Sequence, residues 1–510
     1  MNRGTFAIRA ALAALCCAAT ALVPGARAAP SRLESEIEQR LRAHIDMLAS
    51  DAFEGREPGT EGEAKTLRYL GREWFDIGLV SGTNDPGHEW FAPVTLVARE
   101  PASSTAQFRR ARRPVYVDPE GVLMLTSGKR SLVRDAPLLF VGKAQDVDFT
   151  RAELAGRVAV LLDGDVEGGA RQNALLGQGA SAVLTVLDGE RTLEEVAARR
   201  RRSGYALADD SLGGDLEGFV TREAMVALLK GSKHSLDGLE RLAAEPGFTP
   251  LALDITASLE ATTSETTIRT HNLIGKIPGR RSGAGAVLFV AHWDHFGNCG
   301  EETAEDRICN GAIDNASGVA ALTEIARLLV RGKEPDRDIY FLATTAEELG
   351  LLGAHAFAEN PPLPLDQIVA AFNIDSVAIA PAGTPVAIVG RGMTALDPLV
   401  EKVARREHIK VVPGDEANEY VKRQDGWAML KHDIPTVMVT TAYGEIALMR
   451  AFFDGDYHRP SDDLSHPLEL GGAVRDVRLG VALGRWFADV ERVPGPVPPE
   501  GKAPPSPQGN

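Results

Sequence analysis

The stretch AVLFVAHWDHFG, residues 286–297, joins an apolar run to a set of polar side chains. Its first six residues are apolar without alternation, as in a strand that is buried on both faces of a sheet. His292 and Asp294 follow directly, where such a strand would end. Parallel sheets bind ligands beyond the carboxyl ends of their strands, so this stretch predicts both the type of sheet and the place of a site.

Further apolar runs repeat this pattern along the chain. Helical or long connecting stretches separate DIYFLATT (338–345), IVAAFNI (368–374) and PTVMVTT (435–441). Apolar strands that alternate with helices predict an α/β fold, in which helices cover both faces of a mostly parallel, mixed sheet.

Acidic residues follow two of these runs. Glu347 and Glu348 come after the second strand and Asp375 comes after the third. Singly, each acid has a structural explanation as a cap, a first-turn acid of a helix or a strand end. Together they would repel one another at one sheet edge unless a cation were present. With His292, and without a thiolate, the set favours zinc, with manganese or cobalt as alternatives.

Two more residues extend this set. GAIDNASGVAAL, residues 311–322, places Asp314 at the start of a helical run, where it could cap the helix or hold a cation. GDYHRPSDD supplies a second imidazole, His458. One four-coordinate ion cannot use all of these groups. Two ions about 3.5 to 4 Å apart that share a carboxylate fit the set better.

The order of these motifs resembles a known family. AHWDHFG, NGAIDNASG, TTAEELGLLG, FNIDSV and DYHRPSDD occur in sequence between about residues 265 and 470. This part resembles the secreted bacterial di-zinc aminopeptidases of the leucyl-aminopeptidase type, relatives of carboxypeptidase Q and glutamate carboxypeptidase. The resemblance implies a zinc exopeptidase fold in two parts, 29–114 and 254–490. The segment 115–253 resembles the β-rich, α+β protease-associated domain that some members carry as an insertion.

The resemblance also implies roles for the metal-ligating residues. His292 and Glu348 would bind one zinc, Asp375 and His458 would bind the other, and Asp314 would bridge both. The implied cofactor is therefore two Zn²⁺ ions per chain.

The same resemblance implies two catalytic roles. Asp294 would fix the tautomer and orientation of the His292 imidazole. Glu347 would act as general base on the attacking water and then protonate the departing amine. Tyr443, just past the fourth run, has two open interpretations: a hydrogen bond to the oxyanion of the reaction, or packing.

The implied function is a zinc-dependent exopeptidase, an aminopeptidase that hydrolyses N-terminal residues from peptides. A carboxypeptidase or dipeptidase of the same fold, a glutaminyl-cyclase-like acyltransferase and a non-catalytic binding ectodomain are the alternatives. Where many relatives have Ser-Asp-His before an aromatic residue, this chain has Gln424, Asp425, Gly426 and Trp427. The substrate preference therefore stays open.

The N-terminal end of the chain predicts export, and the C-terminal end predicts disorder. Residues 1–28 combine basic residues, a short apolar stretch and a small-x-small site, which is typical of a secretory signal. A lipoprotein signal at Cys16 or Cys17 is the alternative, but neither follows the small residue that lipidation requires. The Pro-rich end, 491–510, is predicted to be disordered. We expect a periplasmic or extracellular protein with no membrane span; its oligomeric state stays open.

Charge restricts the classes of binding partner, and cysteine content indicates a disulfide. The formal net charge is −16, and it becomes −19 when the predicted signal is removed with its three arginines. Such a charge argues against a nucleic-acid partner. The resemblance implies a peptide substrate. Cys299 and Cys309 are expected to form a disulfide in an oxidising compartment, with two free thiols as the alternative. The acidic loop between them either receives a substrate ammonium group or is a solvated flap.

Overall fold

The computed structural model describes residues 30–144, 149–164, 169–202, 204–208, 215–300 and 303–495, with the side chains of 198–202 left aside. The predicted signal, 1–28, lies outside the described residues.

The described part of the chain alternates helices and strands. The helices are α1 (Arg32–Leu48), α2 (Glu61–Ile77), α3 (Arg151–Leu154), α4 (Ala170–Gly177), α5 (Leu193–Arg202), α6 (Arg222–Leu229), α7 (Leu236–Ala243), α8 (Gly318–Val330), α9 (Leu352–Glu359), α10 (Asp397–Arg406), α11 (Asp425–Lys431), α12 (Ile446–Asp454) and α13 (Leu470–Phe487). The strands are β1 (Val80–Ser81), β2 (Phe91–Arg110), β3 (Arg113–Val115), β4 (Val122–Thr126), β5 (Arg130–Gly142), β6 (Val158–Leu162), β7 (Ala182–Val186), β8 (Tyr205–Leu207), β9 (Leu216–Val220), β10 (Leu251–Ile277), β11 (Ala286–His292), β12 (Gly297–Asn298), β13 (Ile308–Cys309), β14 (Asp338–Thr344), β15 (Ile368–Asn373), β16 (Ala387–Val389) and β17 (Thr436–Thr440). Short 3₁₀ segments span Asp51–Arg56, Pro119–Gly121, Leu365–Gln367 and Glu416–Arg423.

The four predicted apolar runs form the parallel centre of the sheet outside the insert, in the region 254–490 that is here called the catalytic part after its predicted function. β11 pairs in parallel with β14 on one side and with β15 on the other, and β15 pairs in parallel with β17. Antiparallel strands flank this centre, β16 beside β17 and β10 beside β14. The prediction of a mostly parallel, mixed sheet is confirmed.

Successive residues of β11 show why its sequence lacks alternation. Val287, Phe289 and Ala291 pack into the core under α1, α2, α8 and α13. Leu288 and Val290 face the opposite way, into the core under α9 and α11. Because both faces are covered, every position of the strand has to be apolar.

The inserted region continues the same sheet. The 27-residue strand β10 pairs with the 20-residue strand β2 and with β5, and it carries the hydrogen-bonded array from the catalytic part into the insert. There β5, β6, β7 and β9 run parallel to one another. The insert therefore contains a parallel sheet with its own helices.

The insert has its own hydrophobic core, and this core extends beyond the predicted limits of 115–253. Phe108 on β2 belongs to it, and so do Ile255, Ala257, Leu259 and Ala261 on β10. Since these two strands run through both parts of the molecule, the division into domains stays a prediction.

The predicted tail begins too early. The sequence predicts disorder from residue 491, but Val493 is only 3% exposed and packs in the catalytic core. Its carbonyl also accepts a hydrogen bond of 2.5 Å from Nη2 of the buried Arg337. The prediction is therefore wrong for residues 491–495. Within the described ranges, no helix has both the length and the apolar content needed to cross a membrane.

Candidate metal centre

The predicted site residues meet at the carboxyl edge of the parallel strands. His292 is the last residue of β11, and Asp375 lies two residues beyond the end of β15. Glu347 and Glu348 lie in the turn between β14 and α9, and α9 begins only at Leu352. The two glutamates are therefore not first-turn acids of a helix, which removes the dipole explanation for them.

The side chains form two overlapping groups that have the composition of a metal site. His292 groups with Glu347 and Asp375, and it also groups with Asp314 and Glu348. Within each group the potential ligand atoms lie within 4.8 Å of one another.

The shortest contacts pair the ligands differently from the sequence-based expectation. His292 Nε2 lies 3.3 Å from Oδ1 of Asp314 and 3.8 Å from Oδ1 of Asp375. His458 Nε2 lies 3.5 Å from Oδ2 of Asp314 and 3.1 Å from Oε2 of Glu348. Asp314 thus faces one imidazole with each oxygen. By these distances His292 pairs with Asp375 and His458 pairs with Glu348.

Two buried nitrogens indicate that this donor set fits a metal. Nε2 of His292 and Nε2 of His458 are buried and have no hydrogen-bond partner within the described chain. Carboxylate oxygens lie 3.3 Å from Nε2 of His292 and 3.1 Å from Nε2 of His458, but neither nitrogen forms a hydrogen bond with them. Imidazole nitrogens and carboxylate oxygens around a common point are the ligands that zinc takes in proteins.

Burial and neighbouring charges shift the pKa values of the ionisable groups in the site. Burial raises the pKa of Glu347 well above its usual range; His292 opposes this shift, and the neighbouring Glu348 adds to it. Burial also acts to raise the pKa of Asp314, but the contacts with His292 and His458 outweigh it and lower that pKa. The pKa of His458 rises to about 9, because its contacts with Asp314 and Glu348 outweigh the effect of burial. The site favours positive charge at its centre.

The turn that carries Asp314 is built by other residues. Residues Ala312–Ser317 form a π-helical turn before α8, and the Asp314–Asn315 peptide bond is cis. Asp462 accepts hydrogen bonds from the backbone N–H of Ile313 at 2.8 Å and of Asp314 at 3.0 Å. Capping falls to Asn315, whose Oδ1 accepts from the Gly318 N–H at 2.9 Å. The Asp314 carboxylate is therefore left for the site.

Asp294 contacts the acid pair more than it contacts the imidazole. Its two carboxylate oxygens accept from the backbone N–H groups of Glu347, at 3.2 Å, and Glu348, at 3.4 Å. Its Oδ1 lies 3.8 Å from His292 Nδ1, whereas its backbone carbonyl oxygen lies 3.2 Å from that nitrogen. The residue thus holds the turn from which the two glutamates diverge.

Sequence reasoning gave no role to two buried residues at the site. Arg56 donates hydrogen bonds to the backbone carbonyls of Trp293, Asn310 and Gly311, which flank the positions of His292 and Asp314. His295 places Nδ1 2.5 Å from Oε1 of Glu348. The histidine could have been noticed as the second imidazole of AHWDHFG. Nothing in the sequence indicates that the arginine is buried.

Two further residues border the site. Asp425 is buried and accepts a hydrogen bond of 2.5 Å from the Thr344 hydroxyl, and burial raises its pKa to about 6. Burial also raises the pKa of Tyr443 well above its usual range, and this residue packs in an aromatic cluster with Tyr420. The suggested hydrogen bond from Tyr443 to an oxyanion stays a prediction.

The predicted disulfide is present. Cys299 and Cys309 are bonded, and they lie on or beside the short antiparallel pair β12 and β13. Residues 301 and 302 of the intervening loop lie outside the described part, so both interpretations of that loop stay open.

Comparisons with known proteins agree with the fold. The fold matches that of an aminopeptidase from Aneurinibacillus sp. strain AM-1 with a TM-score of 0.53, at 19% sequence identity, over 89% of this chain and 95% of that one. This likeness confirms the fold expected from the sequence, a mostly parallel, mixed sheet that is covered by helices.

Sequence comparisons cover shorter parts. The chain is 32% identical to aminopeptidase YwaD of Bacillus subtilis over 126 residues. These residues make up 24% of this chain and 25% of that protein. It is 36% identical to a vacuolar membrane protease of Pyricularia oryzae over 87 residues, and these make up 17% of this chain and 8% of that protein. The matches thus span a quarter or less of these relatives.

One family profile covers the metal centre. Residues 272–477 match peptidase family M28, and this segment contains the four central strands and all seven predicted site residues. Residues 272–477 of this chain are therefore similar to peptidase family M28.

Proposed function

We propose that this protein is a zinc-dependent aminopeptidase that holds two zinc ions at the carboxyl edge of its parallel sheet. One observation carries the proposal: two buried imidazole nitrogens, which have no hydrogen-bond partner among the described residues, face the two oxygens of one carboxylate, Asp314. A carboxylate placed between two such nitrogens is suited to bridging a pair of ions.

The contact pattern suggests how the ligands divide. His292 and Asp375 would hold one ion, His458 and Glu348 would hold the other, and Asp314 would contribute one oxygen to each. When bound, zinc lowers the pKa of water in the site and polarises the carbonyl of the scissile bond.

Glu347 is the proposed general base. Its side chain is 8% exposed, and its Oε2 lies 3.9 Å from His292 Nε2, beside the proposed ligands. Burial gives it a raised pKa, which suits a group that must both accept and release a proton. Glu347 takes the proton of the water that attacks the scissile carbonyl, and it returns that proton to the departing amine.

The choice of an aminopeptidase rests on the relatives. Family M28 supports a peptidase, and the match to YwaD, named as an aminopeptidase, supports action at the amino end of a peptide. The N-terminal segment 1–28 supports export through its basic, apolar and small-residue pattern. The resemblance of 115–253 to a protease-associated domain stays part of the proposal.

A paired substrate panel tests the function. Each peptide is supplied once with a free α-amine and once N-acetylated, and both ends are followed by mass spectrometry. We expect removal of the N-terminal residue from the free peptides and no cleavage of the acetylated ones. Loss of residues from the carboxyl end of acetylated peptides would instead establish a carboxypeptidase.

A further inference from the structure

We propose that His295 is a positioning residue that holds one oxygen of Glu348, so that only the other oxygen is offered to the ion shared with His458. This inference rests on the proposed two-zinc function. It assigns a role to a side chain that is neither a predicted ligand nor a predicted base.

The Glu348 carboxylate lies between two imidazoles. Its Oε1 is 2.5 Å from Nδ1 of His295, and its Oε2 is 3.1 Å from Nε2 of His458. The side chains of His295 and Glu348 are 0% and 4% exposed. Because Oε1 is engaged by a buried donor, it is not free to turn toward the ion.

Packing fixes the ring of His295. A Cβ atom added at Gly311 would lie 2.7 Å from Cγ of His295, so the backbone of Gly311 lies directly against the ring. Phe296 contacts the ring edge-on, with a centroid distance of 5.1 Å. The backbone N–H of His295 donates a 3.4 Å hydrogen bond to the Arg56 carbonyl. These contacts hold the imidazole with Nδ1 directed at Glu348.

This arrangement determines how many oxygens of Glu348 can bind the ion. A carboxylate with both oxygens free can bind an ion through either or both, whereas one with a committed oxygen binds through the other alone. His295 therefore sets Glu348 as a one-oxygen ligand and pre-organises the His458 side of the centre. Groups that orient a ligand in this way are worth about 10- to 100-fold in metal affinity.

Zinc affinities of two variants distinguish loss of the Nδ1 hydrogen-bond donor from loss of the imidazole ring. His295→Leu removes the Nδ1 donor and keeps a buried apolar side chain, while His295→Asn retains an N–H donor near the position of Nδ1. The exposed histidine His466 gives the control, His466→Asn. Zinc is titrated into each metal-free protein by calorimetry, circular dichroism confirms folding, and the cobalt-substituted proteins are compared by visible absorption. His295→Ala replaces the leucine variant if that variant does not fold.

The expected result is selective. His295→Leu should lose about 10- to 100-fold in affinity for one of the two ions and alter the cobalt spectrum, and His295→Asn should stay within about threefold of the wild type. Wild-type affinity for both ions in the leucine variant would overturn the inference. So would an equal loss in a folded asparagine variant. If the wild type itself binds fewer than two ions, the proposed function fails first, and the two failures are distinguished.

Discussion

The two parallel regions of the large sheet, β5–β6–β7–β9 in the insert and β14–β11–β15–β17 in the catalytic part, differ in what surrounds their buried carboxylates. In the insert, Asp163 follows β6 and is only 2% exposed, and Arg191 contacts both of its oxygens, at 2.6 and 3.1 Å. In the catalytic part, several acids follow the strands, and no arginine or lysine forms an ion pair with them among the described residues. The buried Arg56 lies nearby but donates to backbone carbonyls.

This difference indicates which sheet edge requires an external cation. A buried carboxylate is stable when the chain itself supplies a guanidinium group, and Asp163 then needs nothing more. Where the chain gathers acids and imidazoles without such a group, a bound metal is the charge that completes the site. The following experiments test this contrast.

The largest effect is expected at the shared carboxylate. Asp314→Ala removes one ligand from both proposed ions, so turnover should fall by at least about 10⁴-fold, beyond the 10- to 100-fold typical of outer contacts. Zinc content should fall as well, measured by elemental analysis beside the rates. The exposed Asp366→Ala serves as control. Turnover within tenfold of the wild type would rule out a bridging role.

Glu347→Gln should separate catalysis from metal binding. The amide cannot take a proton from water, so kcat should fall by about 10²- to 10⁴-fold while zinc content stays at the wild-type level. Steady-state kinetics and elemental analysis of the same preparation check both parts, with the exposed Glu359→Gln as control. Loss of zinc together with activity would mean that Glu347 is a ligand.

Chelation should affect the two regions unequally. Removal of an ion forfeits about 4 kcal/mol of stabilisation when the free ion was present at about 1,000 times its Kd. Hydrogen exchange should therefore accelerate around the turns of Asp314 and Glu348 and stay unchanged in β6 and β7. Uniform acceleration across both regions of the sheet would contradict local stabilisation by metal.

The smallest effect is expected in the insert. Arg191→Met leaves the Asp163 carboxylate buried without its partner, and we expect a loss of about 2 kcal/mol in unfolding free energy, reduced because Arg191 is 40% exposed. Adding Asp163→Asn should recover part of the loss, as measured by urea denaturation. Zinc content should not change. A variant as stable as the wild type would show that the pair is dispensable.

Much of the fold was predictable because its signal is local. The run at 286–291 and its three counterparts are apolar on both faces, and each became a parallel strand. The extent of the insert was harder to predict, since β2 and β10 are continuous strands that serve both parts. Val493 was missed because a single apolar residue in a Pro-rich stretch gives no pattern.

The site was predictable in its composition and less so in its arrangement. The ends of the strands identified His292, Glu347, Glu348 and Asp375, but the pairing of ligands depends on distances between segments far apart in sequence. The role of His295 also depends on such a distance, since it follows from the contact between its Nδ1 and Glu348 Oε1.

The most direct test of the central claim is the number of zinc ions bound per chain. Metal-free wild-type protein is titrated with zinc, and the bound ion is counted by elemental analysis after gel filtration. We predict two ions per chain in the wild type. Saturation at one ion or none, in a preparation that is fully active, would contradict a centre in which Asp314 joins two ions.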